Sequence, residues 1–161
     1  MYHHLDFLEN LGGVKAFYTE NGRGNWKDLT AEVAAEYDKL SEHFSMEKDN
    51  FVRMNQTHTD RVTSVDFSDG GSGVTRACPE TSFDGMVTDK KGLMLLTIEA
   101  DCVPVYLYDR QKGVVGMVHS GWKGTASEIS LNAVNMMKEK YGSRPENIYC
   151  VIGPHICKDC Y

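Results

Sequence analysis

The sequence predicts an α/β fold: a single layered domain, residues 1–161, in which a mixed, partly antiparallel sheet is flanked by helices. Three observations predict it. Residues 93–98, 103–108 and 114–118 are near-continuous apolar runs, as suits strands covered on both faces. The last two are separated only by Asp109-Arg110-Gln111-Lys112-Gly113, a spacing that implies a hairpin and therefore antiparallel pairing. A helical pattern over residues 126–141 then precedes another apolar run at 148–152, so strands and helices alternate in the second half.

The elements follow in order. Residues 14–19 read as a short strand, and residues 20–28 as a turn-rich loop. Residues 31–44 fit an amphipathic helix, with Val33, Tyr37, Leu40 and Phe44 at spacings of three and four and Thr30 as N-cap. Residues 51–54 are extended and 62–67 are β-rich, followed by a Gly/Ser/Asp loop at 68–73. Asp84-Gly85 reads as a turn before an extended piece at 86–88, and residues 89–92 as another turn. In the helix over 126–141, Ile129, Ala133, Met136, Met137 and Lys140 fall on or beside one face, with Gly142 as C-cap. Gly153-Pro154 ends the final strand.

Composition narrows the function classes. Hydrophobic residues at 41% and charged residues at 25% are ordinary for a globular chain of 161 residues, long enough for one domain with a sizeable core. A net charge of −6 and basic runs no longer than pairs such as Lys90-Lys91 argue against a nucleic-acid surface. No apolar stretch reaches the roughly 20 residues that span a bilayer, and the first residues lack a secretory pattern. Cytoplasm is the expected compartment, and there the five cysteines are expected to be reduced.

The chemistry concentrates at strand ends. Cys102, in Ala100-Asp101-Cys102-Val103-Pro104, and His119, in His119-Ser120-Gly121-Trp122-Lys123-Gly124, each border an apolar strand. Thiolate and imidazole are ligands that suit zinc, and a third ligand upstream would make an open site. A carboxylate beside a buried thiol is costly without a role, so Asp101 is read as an orienting partner for a ligand. The Gly121–Gly124 turn with Lys123 is equally consistent with an anion cradle and with a plain tight turn. His58, in the polar run Asn55-Gln56-Thr57-His58, reads by itself as an ordinary loop histidine. Cys157-Lys158-Asp159-Cys160 is half of a zinc-deaminase signature, but no His-x-Glu accompanies it.

Taken together, Asn55-Gln56-Thr57-His58, Phe83-Asp84-Gly85-Met86-Val87-Thr88-Asp89, Ala100-Asp101-Cys102-Val103-Pro104-Val105, Val118-His119-Ser120-Gly121-Trp122-Lys123-Gly124-Thr125 and Ile152-Gly153-Pro154-His155-Ile156 resemble the YfiH/YlmD-type, LACC1-related family. That family has been labelled laccase-like polyphenol oxidase and also purine nucleoside phosphorylase with adenosine deaminase activity. The resemblance implies one zinc held by His58, Cys102 and His119. From the residues themselves, Asp101 is read as an orienter and Gln56 as a polar group lining the site, and the Gly121–Gly124 loop motivates Lys123 as an anion contact. The family's N-terminal Ser/Thr-x-Arg-x-Gly-Gly loop is not matched here: the arginine is absent at its expected place, and Arg23 is the candidate to stand in for it toward substrate or phosphate. The implied partners are inorganic phosphate and purine nucleosides: adenosine, inosine, guanosine and methylthioadenosine. Family members continue through further strands and a helix beyond Gly153-Pro154, so the C-terminal part of that fold is expected to be missing here. The older label implies a copper-dependent phenol oxidase instead, but six scattered histidines are few for multicopper chemistry. A catalytically inert, truncated metal-binding module is the third reading.

Overall fold

The computed structural model describes residues 1–19, Trp26 and residues 28–160. It is a mixed α/β arrangement built on a five-stranded sheet. The sheet contains β4 (Val62–Ser64), β5 (Gly85–Thr88), β8 (Val114–Ser120), β7 (Val103–Asp109) and β9 (Ile148–Ile152), in the order β4-β5-β8-β7-β9. Only β4 and β5 run parallel; the other neighbours are antiparallel. The hairpin read from the sequence is β7–β8, in register from Val103 opposite Ser120 to Asp109 opposite Val114.

Alternation along β7 and β8 divides the sheet into two faces. Val105, Leu107, Val114 and Val118 point to one side, where helix α4 (Ile129–Tyr141) closes over them with Ile129, Ala133 and Met137. Those three helix residues are spaced by four and are fully buried, each long side chain contributing about 1.5–3 kcal/mol. The next residues along, Tyr106, Tyr108 and Val115, face the other way, toward Leu8 and Ala16.

The other elements surround this second face. Strand β1 (Tyr2–His4) pairs antiparallel with β2 (Phe17–Thr19), with the short helix α1 (Asp6–Glu9) between them. Helix α2 (Ala31–Phe44) has the bounds its periodicity predicts. The Thr30 hydroxyl accepts a hydrogen bond from the Val33 amide, and Val33, Tyr37 and Leu40 pack on Phe51 and Val74. Strands β3 (Phe51–Arg53) and β6 (Met94–Leu96) form a separate parallel pair. No helix among the described residues is long and apolar enough to cross a membrane.

The structure corrects several boundaries. The strand expected at 14–19 is only Phe17–Thr19. The run 93–98 contributes β6, outside the five-stranded sheet; Leu93 is buried, but the β6 residues are half-buried instead of covered on both sides. The helix expected at 126–141 is two: α3 (Trp122–Ala126) and α4, broken by Glu128 in a left-handed conformation at φ 57°. Lys140 is exposed, while Gly142 caps α4 at φ 68° as expected. Asp84-Gly85 is not a turn: Gly85 opens β5, opposite Val118 of β8.

Candidate metal centre

His58, Cys102 and His119 come from three segments distant in the chain. His58 lies in the loop after β3, Cys102 immediately before β7, and His119 on β8, paired across the hairpin with Pro104. Their ligand atoms all lie within 4.8 Å of one another, and His58 Nε2 is 3.6 Å from Cys102 Sγ. The two imidazoles meet edge to face at 4.9 Å between centroids. His119 is buried, Cys102 half-buried and His58 exposed, so the cluster opens to solvent on one side. Two nitrogens and a sulfur suit zinc by donor type, and sharing one ion at roughly 2.0–2.3 Å needs only a small closing of the three.

Gly121 explains how the three approach. A Cβ there would stand 2.6 Å from His58 Cδ2 and 3.2 Å from Cys102 Sγ. At Gly124 a Cβ would come to 3.0 Å from the Thr59 carbonyl oxygen. Both glycines therefore let α3 lie against the His58 loop. The turn satisfies its own hydroxyls: Thr125 Oγ1 donates to the Gly121 carbonyl at 3.0 Å and sits 2.8 Å from Ser120 Oγ. Lys123 is exposed, with its ammonium 5.5 Å from the centre of the Trp122 ring.

The carboxylate that touches the cluster is Asp84, a residue for which the sequence reading proposed no role. His119 Nδ1 is 2.8 Å from Asp84 Oδ1, and the carboxylate also accepts the amides of Thr57, His58 and Thr59 and the Thr59 hydroxyl. Burial alone would raise this carboxyl. The bonds from His119, Thr59 and Thr57 outweigh it and hold Asp84 well below the usual carboxylate range. A signal existed in the sequence: an acid directly before the apolar run that opens β5, within a motif quoted for the family resemblance.

Asp101 itself is exposed, in a left-handed conformation at φ 80°. Its backbone oxygen accepts the Ile156 amide at 3.1 Å, and no side-chain bond ties it to the three clustered residues. Gln56 is buried and faces the backbone: Nε2 donates to the Ile98 carbonyl at 2.8 Å and Oε1 accepts the Ile98 amide at 3.0 Å. It ties the His58 loop to the segment leading into Cys102. Arg23 lies outside the described residues. The C-x-x-C thiols are exposed, and among the described residues only His58, Cys102 and His119 form a group of three metal-capable side chains.

An open cavity of about 1450 Å³ lies on the second face of the sheet, lined by Tyr106, Val115, Met117, Glu99, Ala100 and Pro104 among others. None of the three clustered residues lines it, but Glu99 approaches the cluster from this side. Burial pushes the Glu99 carboxyl up to about 7, and the nearby Thr97 hydroxyl and His119 ring offset only part of that rise. Glu99 Oε1 and Thr97 Oγ1 are both shielded from solvent without a good hydrogen bond.

Fold and cluster together define a class: a layered α/β domain with three N/S donors at one end of a sheet and one side open, the arrangement of catalytic more than of closed structural centres. The chain belongs to the family described as multi-copper polyphenol oxidoreductase laccase, which matches residues 5–161. Among its relatives is the purine nucleoside phosphorylase YlmD of Bacillus subtilis, 38% identical over 160 residues, covering 96% of this chain and 57% of YlmD. The adenosine deaminase RL5, from an unknown prokaryotic organism, is 31% identical over 172 residues, covering 98% of this chain and 65% of RL5. The crystal structure of the hypothetical protein YfiH of Bacillus licheniformis superposes with a TM-score of 0.77 at 36% identity, over 89% of this chain and 52% of that one. The chain thus spans little more than half the length of YlmD and YfiH.

Proposed function

We propose that this chain forms the metal-binding part of a zinc-dependent purine nucleoside phosphorylase with adenosine deaminase activity. The observation that carries the reading is the convergence of His58, Cys102 and His119 with one side open. The names of two relatives, a nucleoside phosphorylase and an adenosine deaminase, supply the reaction class. The substrates are adenosine, inosine, guanosine and methylthioadenosine. In phosphorolysis, phosphate attacks C1′ and the base leaves; in deamination, water attacks C6 of adenosine and ammonia leaves.

His58, Cys102 and His119 hold the ion in this reading. When bound, zinc supplies a Lewis acid that draws the pKa of water toward neutrality. Lys123, exposed beside the cluster, supplies a cation for phosphate, and Gly121 and Gly124 keep the turn close enough for it to do so. Gln56 positions the segment before Cys102 through Ile98. The five free cysteines suit a reducing, cytoplasmic setting.

Incubation with adenosine and phosphate, reading inosine, adenine and ribose 1-phosphate, tests the reading. Zinc-loaded protein that forms none of these products would refute it for this chain and leave an inert metal-binding module. Lys123→Ala is expected to raise the KM for phosphate with little effect on metal content. The family description favours a second reading, a copper-dependent phenol oxidase. Metal analysis of protein purified without added metal separates the two.

A further inference from the structure

We propose that Asp84 assembles the metal site before any metal arrives, by fixing the ring of His119 and the loop bearing His58 through one carboxylate. The inference rests on His58, Cys102 and His119 being the metal-binding set. Asp84 is then a positioning residue: it touches two of the three and would not itself meet the ion.

The carboxylate is 1% exposed and carries five contacts on two oxygens. Oδ1 accepts the His58 amide at 3.0 Å and faces His119 Nδ1 at 2.8 Å. Oδ2 accepts the Thr59 amide at 2.7 Å, the Thr59 hydroxyl at 2.7 Å and the Thr57 amide at 3.3 Å. The Asp84 backbone oxygen also accepts the His119 amide at 2.7 Å, which locks the strand bearing His119 to the same residue.

Two consequences follow. A carboxylate so occupied is an acceptor only, so His119 must carry its proton on Nδ1. The free lone pair is then on Nε2, the atom left for a metal. The second concerns His58, whose φ is 60°, a conformation that costs a residue with a Cβ roughly 1–2 kcal/mol. Three successive amides converging on one anion hold the loop in that shape, as in an anion-binding nest. Neither constraint needs an ion.

An asparagine cannot do both jobs. Its amide oxygen could serve one side, but its NH2 would then face an N–H or O–H donor on the other. Asp84→Asn is nearly isosteric, so it tests charge and acceptor count with little change in volume. Thr59→Val removes the hydroxyl's bond to Asp84 and its acceptor for the Arg61 amide, and leaves His119 untouched.

The test uses metal-free protein first. Nitrogen-15 spectra of the His119 ring and hydrogen exchange of the 57–59 amides are read in wild type, Asp84→Asn and Thr59→Val. Zinc affinity is then measured by competition with a chromophoric chelator. Metal-free wild type is expected to show the Nδ1–H tautomer and protected amides. Asp84→Asn is expected to lose one or the other, according to which side its amide oxygen serves, and to bind zinc about 10–100-fold more weakly. Thr59→Val should keep the tautomer and lose only loop protection. A metal-free wild type with the Nε2–H tautomer or unprotected amides would overturn the proposal. So would an Asp84→Asn protein unchanged in tautomer, protection and affinity. If Asp84→Asn does not fold, wild type and Thr59→Val decide by the same criteria. A wild type with the Nδ1–H tautomer and protected amides that takes up no zinc would refute the metal reading and leave the role of Asp84 standing.

Discussion

The two faces of the five-stranded sheet share one alternating pattern of side chains and differ in everything else. On the α4 side, Val105, Leu107, Val114 and Val118 meet Ile129, Ala133 and Met137 in a closed apolar core. On the opposite side, Tyr106, Val115 and Met117 border an open cavity of about 1450 Å³, and two shielded polar atoms, on Thr97 and Glu99, have no good partner. His119 stands between Val118 and Ser120 on β8, one step along from a core residue, with its ring taken up by Asp84. The contrast teaches that packing and chemistry are separated here by a single residue step along a strand. The satisfied polar network around Asp84 and the unsatisfied atoms near Glu99 mark where the second face is complete and where it is open.

Replacing a clustered residue should give the largest effect. Cys102→Ala is expected to remove stoichiometric zinc, a greater loss than the roughly 10–100-fold that loss of an outer partner costs. It should leave the α4 core intact, as read by metal analysis and thermal melting. The converse change, Met137→Ala, should cost about 2–5 kcal/mol of stability through the cavity it leaves. Zinc affinity of the remaining folded protein should be unchanged, and a parallel loss of affinity would break the separation of the faces.

Glu99→Gln probes the open side. The folded chain holds the Glu99 proton up to about 7, whereas the ordinary carboxyl loses it near 4.5. The folded-state value is raised, so wild-type stability falls as pH rises between these values, by an amount on the order of 3 kcal/mol, and stays low above them. The variant should therefore melt higher than wild type at about pH 8 and not at about pH 4. The smallest effect is expected from Gly121→Ala. Its φ of −70° suits alanine, so the cost is the methyl group against His58 and Cys102. Zinc affinity should fall about tenfold, near 1.4 kcal/mol, and overpacking the buried position should cost about 1–3 kcal/mol of stability.

Much of the fold was legible where short-range chemistry governs it. Helix α2 has its expected bounds because one amphipathic stripe and one N-cap define it. The β7–β8 hairpin followed from two apolar runs and a short turn. The break between α3 and α4 is invisible to periodicity, since nothing in it marks Glu128 as left-handed. The apolar run 93–98 implies a covered strand, but apolar content does not reveal which partner a strand takes, and β6 pairs with β3. At the site, His58, Cys102 and His119 were named through the family motifs, and they do converge. Asp101 and Asp84 both border apolar strands, and nothing local distinguishes the exposed Asp101 from the buried Asp84 that contacts His119. Gln56 faces the Ile98 backbone, and the burial of Glu99 has no signature in the local sequence.

From residues alone came the alternation of strand and helix, the caps, and the donor types suited to a metal. These depend on periodicity, backbone preference and side-chain chemistry, all of which act locally. The choice of Asp84 over Asp101, the left-handed turn at His58, the approach allowed by Gly121 and the burial of Glu99 belong to the tertiary structure. Each depends on which distant segments come within hydrogen-bonding or van der Waals reach, and local patterning does not carry that information.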